Sequence, residues 1–240
     1  MKFKFKHLIQ YIPLAVLITL IIIFYATGLY HYVSYHFLKA QHDQLMALVH
    51  QHHILAPIIF MLAYAFTMSL GIPDVLFFTL AGGFLFPWPL SLVYVVFSET
   101  IGSSLFFLSV RTAFGSKIYK KKYFLFLNKM KKGFQKYPAS YLLSLRFMHI
   151  IPIWMVNLAA GLSNVRLWTF VWTTFLGYIP LAVVFTQMGS GLHEIFAHHE
   201  KFSVRNVLNY KIEISLGLLA LISLAPILVK KYIQKKRRKK

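Results

Sequence analysis

Apolar residues gather in long blocks separated by polar or basic segments. A helix needs about 20 largely apolar residues to cross the hydrocarbon of a bilayer. Residues 8–30 meet that requirement after the basic start Lys2, Lys4 and Lys6. The stretch is too long for a cleaved leader, and Ala26-Thr-Gly28 is a weak cleavage match, so it is expected to stay as an anchor. Residues 31–53 are polar and hold six histidines. Residues 54–111 are apolar again, with breaks expected at Pro57, Gly71, Pro73, Gly82-Gly83 and Pro87. A basic segment, 111–136, leads to a further apolar block, 138–188, with breaks expected near Pro152, at 161–166 and at 177–180. A polar segment then precedes a last span, 212–229, and a basic tail.

Charge placement sets the expected sidedness. Short loops rich in Lys and Arg stay in the cytoplasm. The N-terminus, the 111–136 segment and the tail hold 20 of the 26 Lys and Arg, so all three are expected to be cytoplasmic. Segments 31–53 and 190–211 hold only four and are expected on the opposite side. Block 54–111 must then cross an odd number of times: 90–110 reads as a full span and 54–89 as a re-entrant hairpin. Two full-length helices in place of that hairpin would leave the sidedness unchanged. Segment 138–161 reads as a second hairpin from the cytoplasmic face, and 167–188 and 212–229 as spans. Re-entrant backbone is tolerated at membrane depth where protein or water covers it.

The expected fold is therefore an all-α polytopic membrane protein with about four full transmembrane helices and two opposed re-entrant helical hairpins in an inverted repeat. Its expected parts are an anchor (1–30), a His-rich non-cytoplasmic segment (31–53), a membrane core (54–192) carrying the basic loop 111–136, a non-cytoplasmic loop (193–211), and a last span with basic tail (212–240). The hairpins resemble each other: Ile72-Pro starts one and Ile151-Pro the other, and each closes on Ala-Gly, at Gly82 and Gly161. Opposed interrupted helices are the arrangement that places a transporter's site near mid-membrane.

Composition sharpens this picture. Hydrophobic residues make up 58% of the chain and charged ones 13%, and the formal charge is +20. The positive blocks sit beside apolar segments, which points to anionic lipid and away from nucleic acid. Lys120, Lys121, Lys122, Lys129, Lys131 and Lys132, interleaved with aromatic residues, are the expected contacts to anionic phospholipids. With no cysteine, thiol and iron–sulfur chemistry are excluded. There is no nucleophile–base pair, phosphate loop or metal-ligand spacing, so neither an enzyme nor a cofactor is expected. His50 and His53 lack acidic companions other than Asp43, and no metal site is assigned to them.

Ionisable residues inside the apolar zone are few: Asp74, Glu99, Arg111 and Arg146. Each costs about 2.5–3.5 kcal/mol at the centre of a spanning helix, so each needs a partner. A carboxylate from the first half meeting a guanidinium from the second would suit a phosphate head group, held by arginine, or a proton, carried by the acid. A structural ion pair is the plainer alternative, as is snorkelling for Arg111. Asn157 is the other polar residue of the second hairpin, as a ligand or a helix-break cap. Gly102-Ser-Ser104 is a small-residue patch for close helix contact.

Ile72-Pro-x(6)-Leu-Ala-Gly-Gly-Phe-Leu-Phe86, Gly102-x(4)-Phe107-x(3)-Arg111, Arg146-x(5)-Pro152-x(4)-Asn157-Leu-Ala-Ala-Gly-Leu-Ser163, Trp168-Thr-Phe170 and Gly189-Ser-Gly191 together resemble the DedA superfamily. The nearest branch is the one with the VTT, or SNARE-associated Golgi, domain, over about residues 54–192. The resemblance implies two opposed re-entrant hairpins and a lipid scramblase, flippase or proton-linked transporter. It carries Phe107, Arg111, Arg146, Pro152 and Asn157 over by position. Asp74 stands where many relatives have a Gly-Glu pair. Pro87 replaces a usual glycine, and His149 a frequent proline.

The expected function is movement of a lipid or lipid-linked phosphate between leaflets, with proton coupling, in support of membrane homeostasis. The expected place is the cell (inner) membrane. Asp74, Glu99, Arg111, Arg146 and Asn157 are the candidate substrate or proton ligands. Pro73, Gly82, Gly83, Phe107, Pro152 and Gly161 are the candidate hairpin residues. An ion or small-solute antiporter, or a scaffold acting through the basic loop and tail, stays open, as does a homo-oligomer.

Overall fold

The computed structural model describes residues 19, 22, 26, 40–72, 75–114, 130, 133–148, 151–163 and 165–197. Most of these residues lie in seven helices: α1 (His42–Gln51), α2 (Leu55–Ser69), α3 (Val75–Leu85), α4 (Leu90–Phe114), α5 (Pro138–Met148), α6 (Ile153–Gly161) and α7 (Leu167–Ala197). No strand occurs among them. The last expected span, all of the first (8–30) but residues 19, 22 and 26, Pro73, Asp74, His149 and the basic residues of 120–132 lie outside the described residues.

Among the described residues, two helices are long and apolar enough to cross a bilayer: Leu90–Ala113 and Leu167–Leu192. With 25 and 31 residues, α4 and α7 extend about 37 and 46 Å at about 1.5 Å per residue, against a hydrocarbon thickness of about 30 Å. α1 and α2 form a further apolar pair, bent by 115°.

The side chains of α4 show why it belongs in lipid. Ser91, Val95, Glu99, Ser103 and Phe107, spaced by four, are all fully buried. Val93, Phe97, Ile101 and Leu105 on the opposite face are about half exposed (46–49%). Polar groups therefore face inward and apolar ones outward, the reverse of a water-soluble helix. α7 repeats the spacing, with Phe170, Thr174, Tyr178, Ala182 and Thr186 buried. Its buried threonines bond within the helix, Thr174 donating to the Phe170 carbonyl at 2.6 Å and Thr186 to that of Ala182 at 2.7 Å.

α4 and α7 pack against each other, and two helical hairpins, α2–α3 and α5–α6, flank them. Each hairpin's first arm lies on the long helix that follows it, α2 on α4 and α5 on α7. The return arms cross over, α3 to α7 and α6 to α4. Gly71 reverses the chain between α2 and α3 at φ 73, and its N–H closes α2 on the Met68 carbonyl at 3.0 Å. A side chain there would be strained by its backbone and would also meet Phe106 at 2.5 Å. In the second hairpin Pro152 stands just before α6, and its carbonyl accepts from Met155 and Val156 at 3.0 and 3.2 Å.

Three expected breaks are not breaks. Pro57 sits in the first turn of α2, where a missing N–H removes no helical bond. Gly82 and Gly83 lie within α3. A Cβ on Gly83 would collide with the Thr186 backbone, so this glycine serves the α3–α7 approach. Gly177 and Pro180 lie within α7, which continues past residue 188 to Ala197.

Candidate functional site

Arg146, near the end of α5, is 3% exposed. Its aliphatic stem fits against Gly177 of α7, where a Cβ would come within 2.8 Å of Cδ. Its Nη2 donates to Asn157 Oδ1 of α6 at 3.2 Å. Asn157 Nδ2 donates to Ser103 Oγ of α4 at 2.8 Å, and Ser103 Oγ donates to Glu99 Oε1 at 2.7 Å. A cation and a carboxylate are thus joined through an amide and a hydroxyl, every donor pointing from arginine towards glutamate. Glu99, Ser103 and Asn157 are all at most 1% exposed. Glu99 Oε2 and Arg146 Nε have no hydrogen-bond partner among the described residues.

An aromatic column adjoins this chain. The Arg146 guanidinium lies 5.1 Å over the Phe170 ring, which stacks on Phe107 at 4.4 Å. Arg111 lies 5.5 Å over the Phe107 ring, and its Nη1 donates to the Val165 carbonyl at 2.6 Å. Val165 belongs to the non-helical link between α6 and α7, where the backbone carbonyl has no helical donor. Arg111 is therefore not in the Arg146–Glu99 chain, but the two arginines flank one stacked pair. Gly161 lets α6 approach α4 closely, since a Cβ there would lie 3.0 Å from the Phe107 carbonyl.

A second polar cluster ties the first hairpin to α7. Tyr64 of α2, Thr79 of α3 and Tyr178 of α7 share hydrogen bonds: Tyr64 with Tyr178 at 3.0 Å, Tyr64 with Thr79 at 3.1 Å, and Thr79 with Tyr178. Thr79 also donates to the Val75 carbonyl at 2.7 Å. Tyr64 stacks on Phe78 with centroids 5.0 Å apart. Each hairpin is thus held by polar bonds to a long helix of the other half, the second to α4 and the first to α7.

Of the residues singled out in the sequence, Glu99, Arg146 and Asn157 come together, and Arg111 joins them only through the aromatic stack. Asp74 lies outside the described residues. Sequence reasoning missed Ser103 as a link, Phe170, and the trio Tyr64, Thr79 and Tyr178. The available signal was spacing: Glu99, Ser103 and Phe107 recur every four residues, which puts them on one helix face. Among the described residues no group of three metal-ligating side chains forms.

Two long apolar helices enclosing buried charge define an integral membrane protein. A VTT domain matches residues 72–191, half of the chain and both hairpin returns, and the chain belongs to the VTT domain family, within the DedA superfamily. It is 29% identical over 174 residues to a Caenorhabditis elegans transmembrane protein 41 homolog, covering 71% of this chain and 68% of the relative. It is also similar to transmembrane protein 41B of Danio rerio, 27% identical over 72% of this chain and 60% of that one. A Drosophila melanogaster transmembrane protein 41 homolog is 30% identical over 59% of this chain and 45% of its own length. The matched region thus spans between 45% and 68% of these relatives. No solved structure matches the chain.

Proposed function

We propose that this VTT-domain protein moves phospholipid between the leaflets of the membrane that holds it. The observation that carries this reading is the buried chain from Arg146 to Glu99, contributed by both halves. The core is then an inverted repeat of two re-entrant hairpins, α2–α3 and α5–α6, each followed by a full span, α4 and α7. The exchange of return arms between α4 and α7 supports that symmetry. The segments at 8–30 and 212–229 complete four spans, with both termini and the 111–136 loop in the cytoplasm of a cell (inner) membrane.

Arg146 binds the phosphate oxygens of a head group, because its planar donor array suits them and one of its N–H groups has no partner among the described residues. The lysines of 120–132 gather anionic lipid at the cytoplasmic surface. Glu99, fully buried and with one oxygen unpartnered among the described residues, accepts the proton that couples the step to a gradient. That same oxygen favours the second reading, an ion or small-solute antiporter. The protein acts without a covalent step of its own.

Reconstitution in liposomes with a fluorescent head-group-labelled phospholipid tests this directly. Dithionite should bleach the label beyond the outer-leaflet fraction only when the protein is present. Bleaching equal to that of empty liposomes, together with cation movement on an imposed pH gradient, would replace lipid transport by antiport.

A further inference from the structure

Between the tips of the two hairpins lies a cavity of about 280 Å³. Val75 and Leu76 open α3 on one side, Ile153 and Trp154 open α6 on the other, and Leu181 and Phe185 of α7 form the back. These walls are mainly apolar. The cavity reaches the protein surface at Leu76, which is 50% exposed. The neighbouring arm α2 likewise exposes apolar side chains, with Ile58, Ile59, Leu62 and Phe66 about half exposed or more. A water molecule needs two to four polar partners to occupy a cavity, and a lining this poor in polar groups favours an apolar occupant. In a chain that spans a bilayer, the medium at such a mouth is hydrocarbon.

The position matters as much as the lining. Thr79 follows Val75 by four residues and Asn157 follows Ile153 by four, while Tyr178 precedes Leu181 by three. Each wall helix thus leads within about one turn, roughly 5.4 Å, to the hydroxyl cluster or to the Arg146–Glu99 chain. An amphiphile with its tail in this cavity has its polar end beside the groups that can receive it.

We propose that this cavity is a binding site for one acyl chain of a bilayer phospholipid. The site itself follows from the apolar lining and the lipid-facing mouth; only its use in translocation rests on the function proposed above.

Trp154 in the wall supplies the probe. The chain has four tryptophans, so changing Trp88, Trp168 and Trp172 to Phe leaves Trp154 as the reporter. The full chain is reconstituted in phosphatidylcholine brominated on its acyl chains, a contact quencher of indole fluorescence, and in the unbrominated lipid. Trp154 should be quenched in the brominated lipid. Quenching should fall back in Leu181→Phe, which fills the back of the cavity, and in Leu76→Phe, which narrows its mouth. Leu76 is half exposed, so the second change leaves folding intact even where the first does not. An unquenched Trp154, or quenching equal in Leu76→Phe and its parent, overturns the site. Dithionite bleaching in the same vesicles separates the two readings. Quenching without translocation upholds the acyl site and overturns the transport function, and translocation with no quenching does the reverse.

Discussion

Asn157 is the joint of the polar chain, so removing it should cost more than its size implies. Asn157→Leu keeps approximate volume but leaves Arg146 Nη2 without its acceptor and Ser103 Oγ without its donor. A buried polar group left unpaired costs about 1–3 kcal/mol, and more when charged. We therefore expect about 3–4 kcal/mol of destabilisation, the larger part from Arg146. Ser103→Ala deprives Asn157 Nδ2 and Glu99 Oε1 of their partner, and should cost about 1–3 kcal/mol. Both single changes break the same 2.8 Å bond, so the double variant should lose less than the two combined. Interhelical hydrogen bonds in membranes measure about 0.6 kcal/mol on average and at most about 1.7. Charged groups at both ends of this chain strengthen its bonds, which puts the expected coupling at about 1–1.5 kcal/mol. Reversible unfolding in mixed micelles, followed by tryptophan fluorescence, gives all four stabilities. Additivity within about 0.3–0.5 kcal/mol would show that the α4–α6 bond does not operate.

Gly83→Ala should greatly reduce the folded yield, since its methyl meets rigid Thr186 backbone, whereas Gly161→Ala, at 3.0 Å from the nearest atom, should be far milder; detergent-extracted monodisperse protein measures both. Tyr178→Phe removes one hydroxyl from the trio with Tyr64 and Thr79 and should cost about 1–2 kcal/mol in the same unfolding assay; Tyr64→Phe added to it should cost less than it does alone. Replacing Lys120, Lys121, Lys122, Lys129, Lys131 and Lys132 by Gln in the full chain should abolish the salt-sensitive capture of anionic vesicles, about 1 kcal/mol per lysine; unchanged capture would assign binding to apolar contacts. Reporter fusions at Lys132 and Lys236 should both read as cytoplasmic and one at His199 as the opposite side; Lys132 and His199 on one side would refute the hairpin topology.

Much of the hairpin outline can be read from punctuation in the sequence. Gly71 ends α2 because only a left-handed residue reverses the chain there, and Pro152 opens α6 because it lacks an N–H to lose. The same punctuation misleads at Gly82, Gly83, Gly177 and Pro180. At the three glycines the missing side chain answers to a neighbouring helix or to the Arg146 stem, which depends on packing that one chain's pattern does not show. Glu99, Arg146 and Asn157 stand out because charge and amide are costly in apolar helices. Ser103 and Tyr178 do not stand out, since a hydroxyl in a membrane helix is commonly satisfied by its own backbone. Their roles emerge only when α4, α6 and α7 are brought together.

The most direct test is lipid translocation by Arg146→Lys in reconstituted vesicles. Lysine keeps the positive charge but loses the planar donors that reach Asn157 and would hold a phosphate. We expect Arg146→Lys to insert and accumulate like the parent yet lose most dithionite-accessible lipid flipping. Translocation at the parental rate in Arg146→Lys, with Arg146→Ala failing to fold, would make this arginine a structural cation and contradict a phosphate-binding role at the centre of the fold.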